Sequence, residues 1–233
     1  MRRRAPIFLG VSAALTWAIL MWLGESGTDA VLDRKPRTAS PSNKTHYVTP
    51  TQLVESGAVT DRTVGSLSAV ARDGALFRWS GIRGGRPLVL VFIRRNCPCS
   101  AQFEPFFHRL AARYGDVVEF AGVIDADAGF AEDYATANKT PYRVLADPDR
   151  AIIDRFEAKN GGYVALLRPE GVVDTLWPGY SAEMMSELGR RIAALAAVTE
   201  RSIDVAGMPG AMTTGCPYES PSFAPSPGSL LRK

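Results

Sequence analysis

The sequence predicts an α/β domain with a mixed central sheet and helices on both faces, and three observations carry that expectation. Short apolar runs rich in β-branched residues, "PLVLVFI" at 87–93 and "VVEFAGVI" at 117–124, read as strands buried on both faces. Helical periodicity fills the space between them, and a turn-separated pair of runs, "YVALLR" and "VVDTLW", reads as an antiparallel hairpin. Alternation of this kind leads to helices packed on a sheet that is parallel in one part and antiparallel in another.

The bulk numbers fit one main domain. The chain has 233 residues, 46% hydrophobic and 22% charged, which is ordinary for a globular protein. Its formal net charge of +3 is small and partly due to Arg2, Arg3 and Arg4, so a nucleic-acid footprint is excluded. Three cysteines are too few to frame a disulfide scaffold, and any cysteine function must be local and chemical.

In chain order, residues 1–32 form an N-terminal membrane anchor or signal segment. After the three arginines, residues 5–24 are uncharged, close to the roughly 20 residues that a spanning helix needs. Positive charge before this stretch, with Glu25 and Asp29 after it, places the rest of the chain on the extracytoplasmic (periplasmic) side. No Ala-x-Ala site comes after it, Thr28-Asp29-Ala30 being a weak substitute, so an uncleaved transmembrane helix is the expectation. Residues 33–50, polar and aperiodic, read as a linker. The folded domain is expected over 51–200, and 201–233 as a largely irregular tail that carries Cys216 and ends in a Pro/Ser-rich stretch.

Within the domain, residues 64–85 suggest a hairpin turning at Asp73-Gly74, leading into the first core strand. Residues 100–114 place Phe103, Phe106, Phe107, Leu110 and Tyr114 on one helical face. A helix at 128–138 and a short strand at 142–145 come next. Asp147 is then expected as the N-cap, with Pro148 at the first position, of a helix running to about residue 158. Pro169-Glu170-Gly171 supplies the turn of the hairpin, and Met184, Leu188, Ile192 and Leu195 form the apolar stripe of a last helix.

The chemistry is concentrated in "VFIRRNCPCS", residues 91–100. Cys97 follows a buried strand and opens a helix, where unpaired N–H groups and the positive dipole end favour a thiolate, and Arg94 or Arg95 would add to that. Cys99 lies two residues on. Cys216, in "MTTGCPYES", follows the last helix across a segment long enough to fold back and act as a resolving thiol. A second class of chemistry is open: the three thiols could hold a soft ion such as Cu(I). His108, nine residues after Cys99 on one helix, is too far along the axis to share a metal with it, and His46 reads as a linker residue. Asp125 and Asp127, at a strand end, read as solvated carboxylates.

Over residues 64–197 the chain resembles the thioredoxin-like redoxins, the alkyl hydroperoxide reductase/thiol-specific antioxidant group. The likeness rests on "VGSLSAVARDGALFRWSGIRGGRPLVLVF", the cysteine motif after it, "YRVLADPDRAIIDRF" and "YVALLRPEG". The family's helix proline, eight positions after its first cysteine, has its counterpart in Pro105. The resemblance implies a thioredoxin-like fold with Cys97 as nucleophile. Ser100 then stands where the family has its second cysteine, with Cys99 one residue early, and a Cys-x-Cys disulfide closes a small, strained and therefore oxidising ring.

Two departures are visible in that register. Gly162 stands where the family places a cis-proline, and Arg94 where peroxiredoxins carry a Thr or Ser. The implied function is an exported, membrane-anchored thiol-disulfide oxidoreductase acting on protein thiols or disulfides, with catalytic cysteines Cys97, Cys99 and Cys216 and no organic cofactor. A thiol-dependent peroxidase and a copper-binding assembly factor are the alternatives. Direction of electron flow, and whether Cys99 or Cys216 resolves Cys97, stay open at this level.

Overall fold

Six consecutive buried residues in Leu88–Ile93 alternate between the two faces of a sheet, and this strand organises the molecule. The structure is a computed structural model and describes residues 46–218. In chain order its elements are β1 His46–Tyr47, α1 Pro50–Gly57, β2 Leu67–Val70, β3 Leu76–Trp79, β4 Leu88–Ile93, α2 Pro98–Tyr114 and β5 Glu119–Ile124. Then come α3 Ala128–Asn138, β6 Arg143–Ala146, α4 Ala151–Arg155, β7 Val164–Leu167, β8 Val173–Trp177, α5 Ala182–Leu195 and β9 Thr213–Thr214. The main sheet has the order β6-β5-β4-β7-β8, with β4, β5 and β6 parallel and β7 and β8 antiparallel to their neighbours.

Val89, Val91 and Ile93 face one core, which Phe103, Phe107 and Leu110 of α2, Tyr134 of α3 and Met184, Leu188 and Ile192 of α5 complete. Leu88, Leu90 and Phe92 face the other, with Ile152 and Ile153 of α4 and with Leu67, Phe77 and Trp79 of the β2–β3 hairpin. Both faces carry helix, as expected. The second face is covered mainly by the hairpin, because α4 is only five residues long.

Three boundaries differ from the sequence reading. The expected linker ends early: Thr49 and Gln52 form a capping box that starts α1 at Pro50, while His46 and Tyr47 pair with Thr214 and Thr213. Asp147 is not the N-cap of α4. A turn with Arg150 at φ 58° intervenes, and the Asp147 carboxylate accepts from the N–H groups of Ile152 (3.0 Å) and Ile153 (2.9 Å), so it still serves the open donors of that helix. Third, the segment after α5 is anchored to the domain as far as residue 218: Tyr114 Oη donates to Arg201 O at 3.0 Å, and Arg109 Nη1 donates to Ala206 O at 2.8 Å. The expected anchor, most of the linker and residues 219–233 lie outside the described residues. Among the described residues no helix is long and apolar enough to cross a membrane.

Candidate functional site

The chain leaves β4 and enters α2 through Asn96, whose φ of 56° turns the backbone sharply. Cys97 is the N-cap residue and Pro98 begins the helix, where its missing N–H costs nothing. The Cys97 side chain makes no capping bond, so its sulfur stays available. Ser100, fully buried at the position of the family's second cysteine, ties down the approach loop: its Oγ accepts from Arg94 N at 3.2 Å and donates to Arg94 O at 3.3 Å.

The third cysteine arrives from the tail. Gly215 N donates to Gly161 O at 2.6 Å, Gly161 N to Cys216 O at 3.1 Å and Tyr218 N to Lys159 O at 3.0 Å, an antiparallel pairing with the loop before β7. Asn160 Nδ2 donates to Gly215 O at 2.9 Å, and Tyr218 Oη to Ile93 O at 3.1 Å. His46 is no linker residue: its Nδ1 lies 3.2 Å from Gly215 O. The pairing ends with Cys216 N donating to Cys97 Sγ at 3.3 Å.

Glycine makes this approach possible. A Cβ on Gly215 would stand 2.6 Å from Gly161 O, and one on Gly162, at φ 86°, would stand 3.3 Å from Gly215 N. Gly162, where the family's proline was expected, thus sits at the crossing of loop and tail.

All three cysteines are free thiols, and their Sγ atoms lie within 4.8 Å of one another. Cys97 and Cys99 are each 6% exposed and Cys216 is half-buried. The hydrogen bonds among them favour the thiolate at Cys97 and the protonated thiol at the other two. The Cys99 thiol, hydrogen-bonding to the Cys97 sulfur, lowers its pKa to about 4 against the opposing effect of burial, helped by the thiol and the N–H of Cys216. Cys99 is pushed up by the same bond and by burial. Burial, then the neighbouring Cys97 sulfur, raises Cys216 to about 11.

The backbone N–H of Arg95 donates to Asp125 Oδ1 at 2.6 Å, its Nε lies 4.0 Å from Oδ2, and burial raises the Asp125 carboxyl to about 6. Asp125 is therefore not the solvated carboxylate that the sequence suggests, whereas Asp127 caps α3 by accepting from Phe130 N at 2.9 Å. Beneath the first turns of α2, Glu104 is 1% exposed and accepts from Tyr134 Oη and Tyr142 Oη, both at 2.9 Å, with His108 Nε2 at 3.2 Å. This buried group was missed in the sequence, where Glu104 looks like any polar helix residue. A cleft of about 450 Å³, lined by Arg86, His108, Phe120 and Tyr142 among others, contains none of the cysteines.

Among solved structures, an uncharacterized conserved protein of Geobacillus kaustophilus aligns with a TM-score of 0.54 and 16% identity, over 70% of this chain and 93% of that one. A candidate protein disulfide isomerase of Bacteroides thetaiotaomicron aligns with a TM-score of 0.53 and 16% identity, over 66% and 94%. The fold is thioredoxin-like, a mixed sheet with helices on both faces. A candidate thiol:disulfide interchange protein DsbE of Chlorobium tepidum agrees, with a TM-score of 0.51 and 19% identity over 59% of this chain and 97% of its own. No protein-family profile and no curated protein sequence matches the chain. In this thioredoxin-like fold Cys97 and Cys99 stand at the strand-to-helix turn that follows β4, and the tail brings Cys216 to them.

Proposed function

We propose that the protein is a membrane-anchored, extracytoplasmic thiol-disulfide oxidoreductase that acts on protein thiols and disulfides through Cys97 and Cys216. The observation that carries this reading is the Cys216 N–H resting on Cys97 Sγ inside a cluster of three reduced sulfurs. The Cys97 thiolate attacks one sulfur of a partner disulfide; that S–S bond breaks, and the leaving sulfur departs as a thiolate and takes up a proton. Cys216 then loses its proton and attacks Cys97 Sγ in the mixed disulfide. This step releases the partner's second thiol and leaves a Cys97–Cys216 disulfide, two electrons having passed to the partner. Starting from the oxidised protein, the same steps run in reverse.

Cys99 serves best as hydrogen-bond donor to the thiolate, since its thiol is the main group that lowers Cys97 and is itself raised by the same bond. The peroxidase alternative is the weaker one, because Arg94 stands where a hydroxyl would be expected. Copper handling is a separate use of the same sulfurs, open only to their reduced form.

The test is equilibration of the full-length chain in glutathione buffers, with mass spectrometry to map the bond formed. A reversible Cys97–Cys216 disulfide, lost in Cys97→Ser, is the expected result. A chain that forms no reversible disulfide overturns the exchange mechanism, and protection of the domain from external protease in spheroplasts would overturn the location.

A further inference from the structure

We propose that the reduced protein binds one soft monovalent metal ion of the Cu(I) class through the sulfurs of Cys97, Cys99 and Cys216. Geometry is the first support. An ion with bonds of about 2.3 Å to three sulfurs in a trigonal plane holds them about 4.0 Å apart, so sulfurs within 4.8 Å of one another need contract by at most about 0.8 Å. Two of them are held at the N-terminus of α2, while the third belongs to an extended segment paired through its backbone and can adjust its side chain without disturbing a helix.

Donor chemistry is the second. Among the described residues this is the one group of three or more potential metal ligands, and it holds neither a histidine nor a carboxylate. A sulfur-only set selects soft ions over Mg²⁺ or Ca²⁺. Structural Zn²⁺ sites use four protein ligands, and the group offers three. The cluster is also largely shielded from water, with Cys97 and Cys99 each 6% exposed. Binding releases the remaining thiol protons to solvent and transfers no electron.

This inference goes beyond disulfide exchange and does not rest on it, since it uses only the reduced sulfurs. The two uses exclude each other: a Cys97–Cys216 disulfide takes away two of the three ligands. Metal occupancy would therefore follow the redox state of the site.

The experiment uses the full-length chain in detergent, fully reduced under anaerobic conditions and titrated against Cu(I) held as its coloured bathocuproine disulfonate complex. The reduced chain should withdraw one Cu(I) per molecule, and X-ray absorption should then show sulfur as its ligand. Cys216→Ser and Cys97→Ser should each weaken retention by more than the roughly 10–100-fold that disturbing an outer-shell partner costs, with far-UV circular dichroism unchanged. Chain oxidised with diamide should withdraw none.

The inference is overturned if the reduced chain leaves the coloured complex intact, or if Cys216→Ser retains Cu(I) as well as the parent does. Glutathione equilibration without metal keeps the two readings apart. A chain that cycles its disulfide but ignores Cu(I) loses only the metal site, and one that holds Cu(I) without a reversible disulfide loses only the exchange mechanism.

Discussion

Cys97 is a sulfur that receives hydrogen bonds rather than giving them. The Cys99 thiol, the Cys216 thiol and the Cys216 N–H all point to the anionic form, and together they outweigh burial. The far-ultraviolet absorbance of the thiolate should therefore persist as pH falls from neutrality and disappear only near pH 4, and Cys97→Ala should abolish it. The linked stability has a definite sign. Because the folded pKa lies below the roughly 8.5 of an unfolded thiol, the stabilisation is fully present above that value and is lost as pH falls through about 4. Titration of that absorbance near pH 8 would show that the cluster does not hold a thiolate. The position of Cys97 was legible in the sequence, since an apolar run, a cysteine and a proline in that order mark a strand, a cap and a first helical turn. The role of Cys99 was not, because a thiol that donates to a neighbour two residues away leaves no mark beyond its presence.

Among the elements, the tail segment lies against that sulfur, with Cys216 N donating to Cys97 Sγ at 3.3 Å. Cys97 is 6% exposed, and the expected route for a protein disulfide to reach it is a local opening in which the segment from Thr213 to Tyr218 lifts from the loop at Gly161. Gly215→Val tests this directly: a Cβ there would stand 2.6 Å from the carbonyl oxygen of Gly161, so the pairing must shift. A weakening of about 1.4 kcal/mol would raise the open population about tenfold. Labelling of Cys97 by a bulky maleimide should quicken in proportion, while the circular dichroism of the core stays as it was. Unchanged labelling would mean that the strap does not gate the site. Helix and strand periodicity made α2, α5 and the core strands readable, because a core face must repeat at 3.6 or 2 residues. The strap escaped that reading. It is held by backbone hydrogen bonds at glycines and by two-residue strands, and neither produces an apolar period. The start of α1 escaped for a related reason: Leu53 and Val54 of that helix are exposed, so no buried stripe announces it.

For the molecule as a whole, the two possible disulfides differ in the loop they close. Cys97 and Cys216 are 119 residues apart in sequence, and their bond would tie the tail to the turn that follows β4. In the chain-entropy account a loop of that length stabilises the folded state by up to about 5 kcal/mol, whereas a Cys97–Cys99 ring constrains almost nothing of the unfolded chain. The tail is already in its bonded place in the reduced protein, so forming the bond asks for little rearrangement of the fold. Calorimetry of the oxidised and reduced full-length chain near pH 4, where the reduced protein has lost most of the stabilisation that its Cys97 thiolate supplies at neutral pH, should accordingly show a higher midpoint in the oxidised form, by up to about 10–20 °C at about 2–4 °C per kcal/mol for a domain of this size. Cys216→Ser should abolish the difference and Cys99→Ser should keep it. Equal midpoints in the parent chain, or a difference that survives Cys216→Ser, would assign the bond to Cys97 and Cys99. The tail would then be a cover over the site and not a partner in its chemistry.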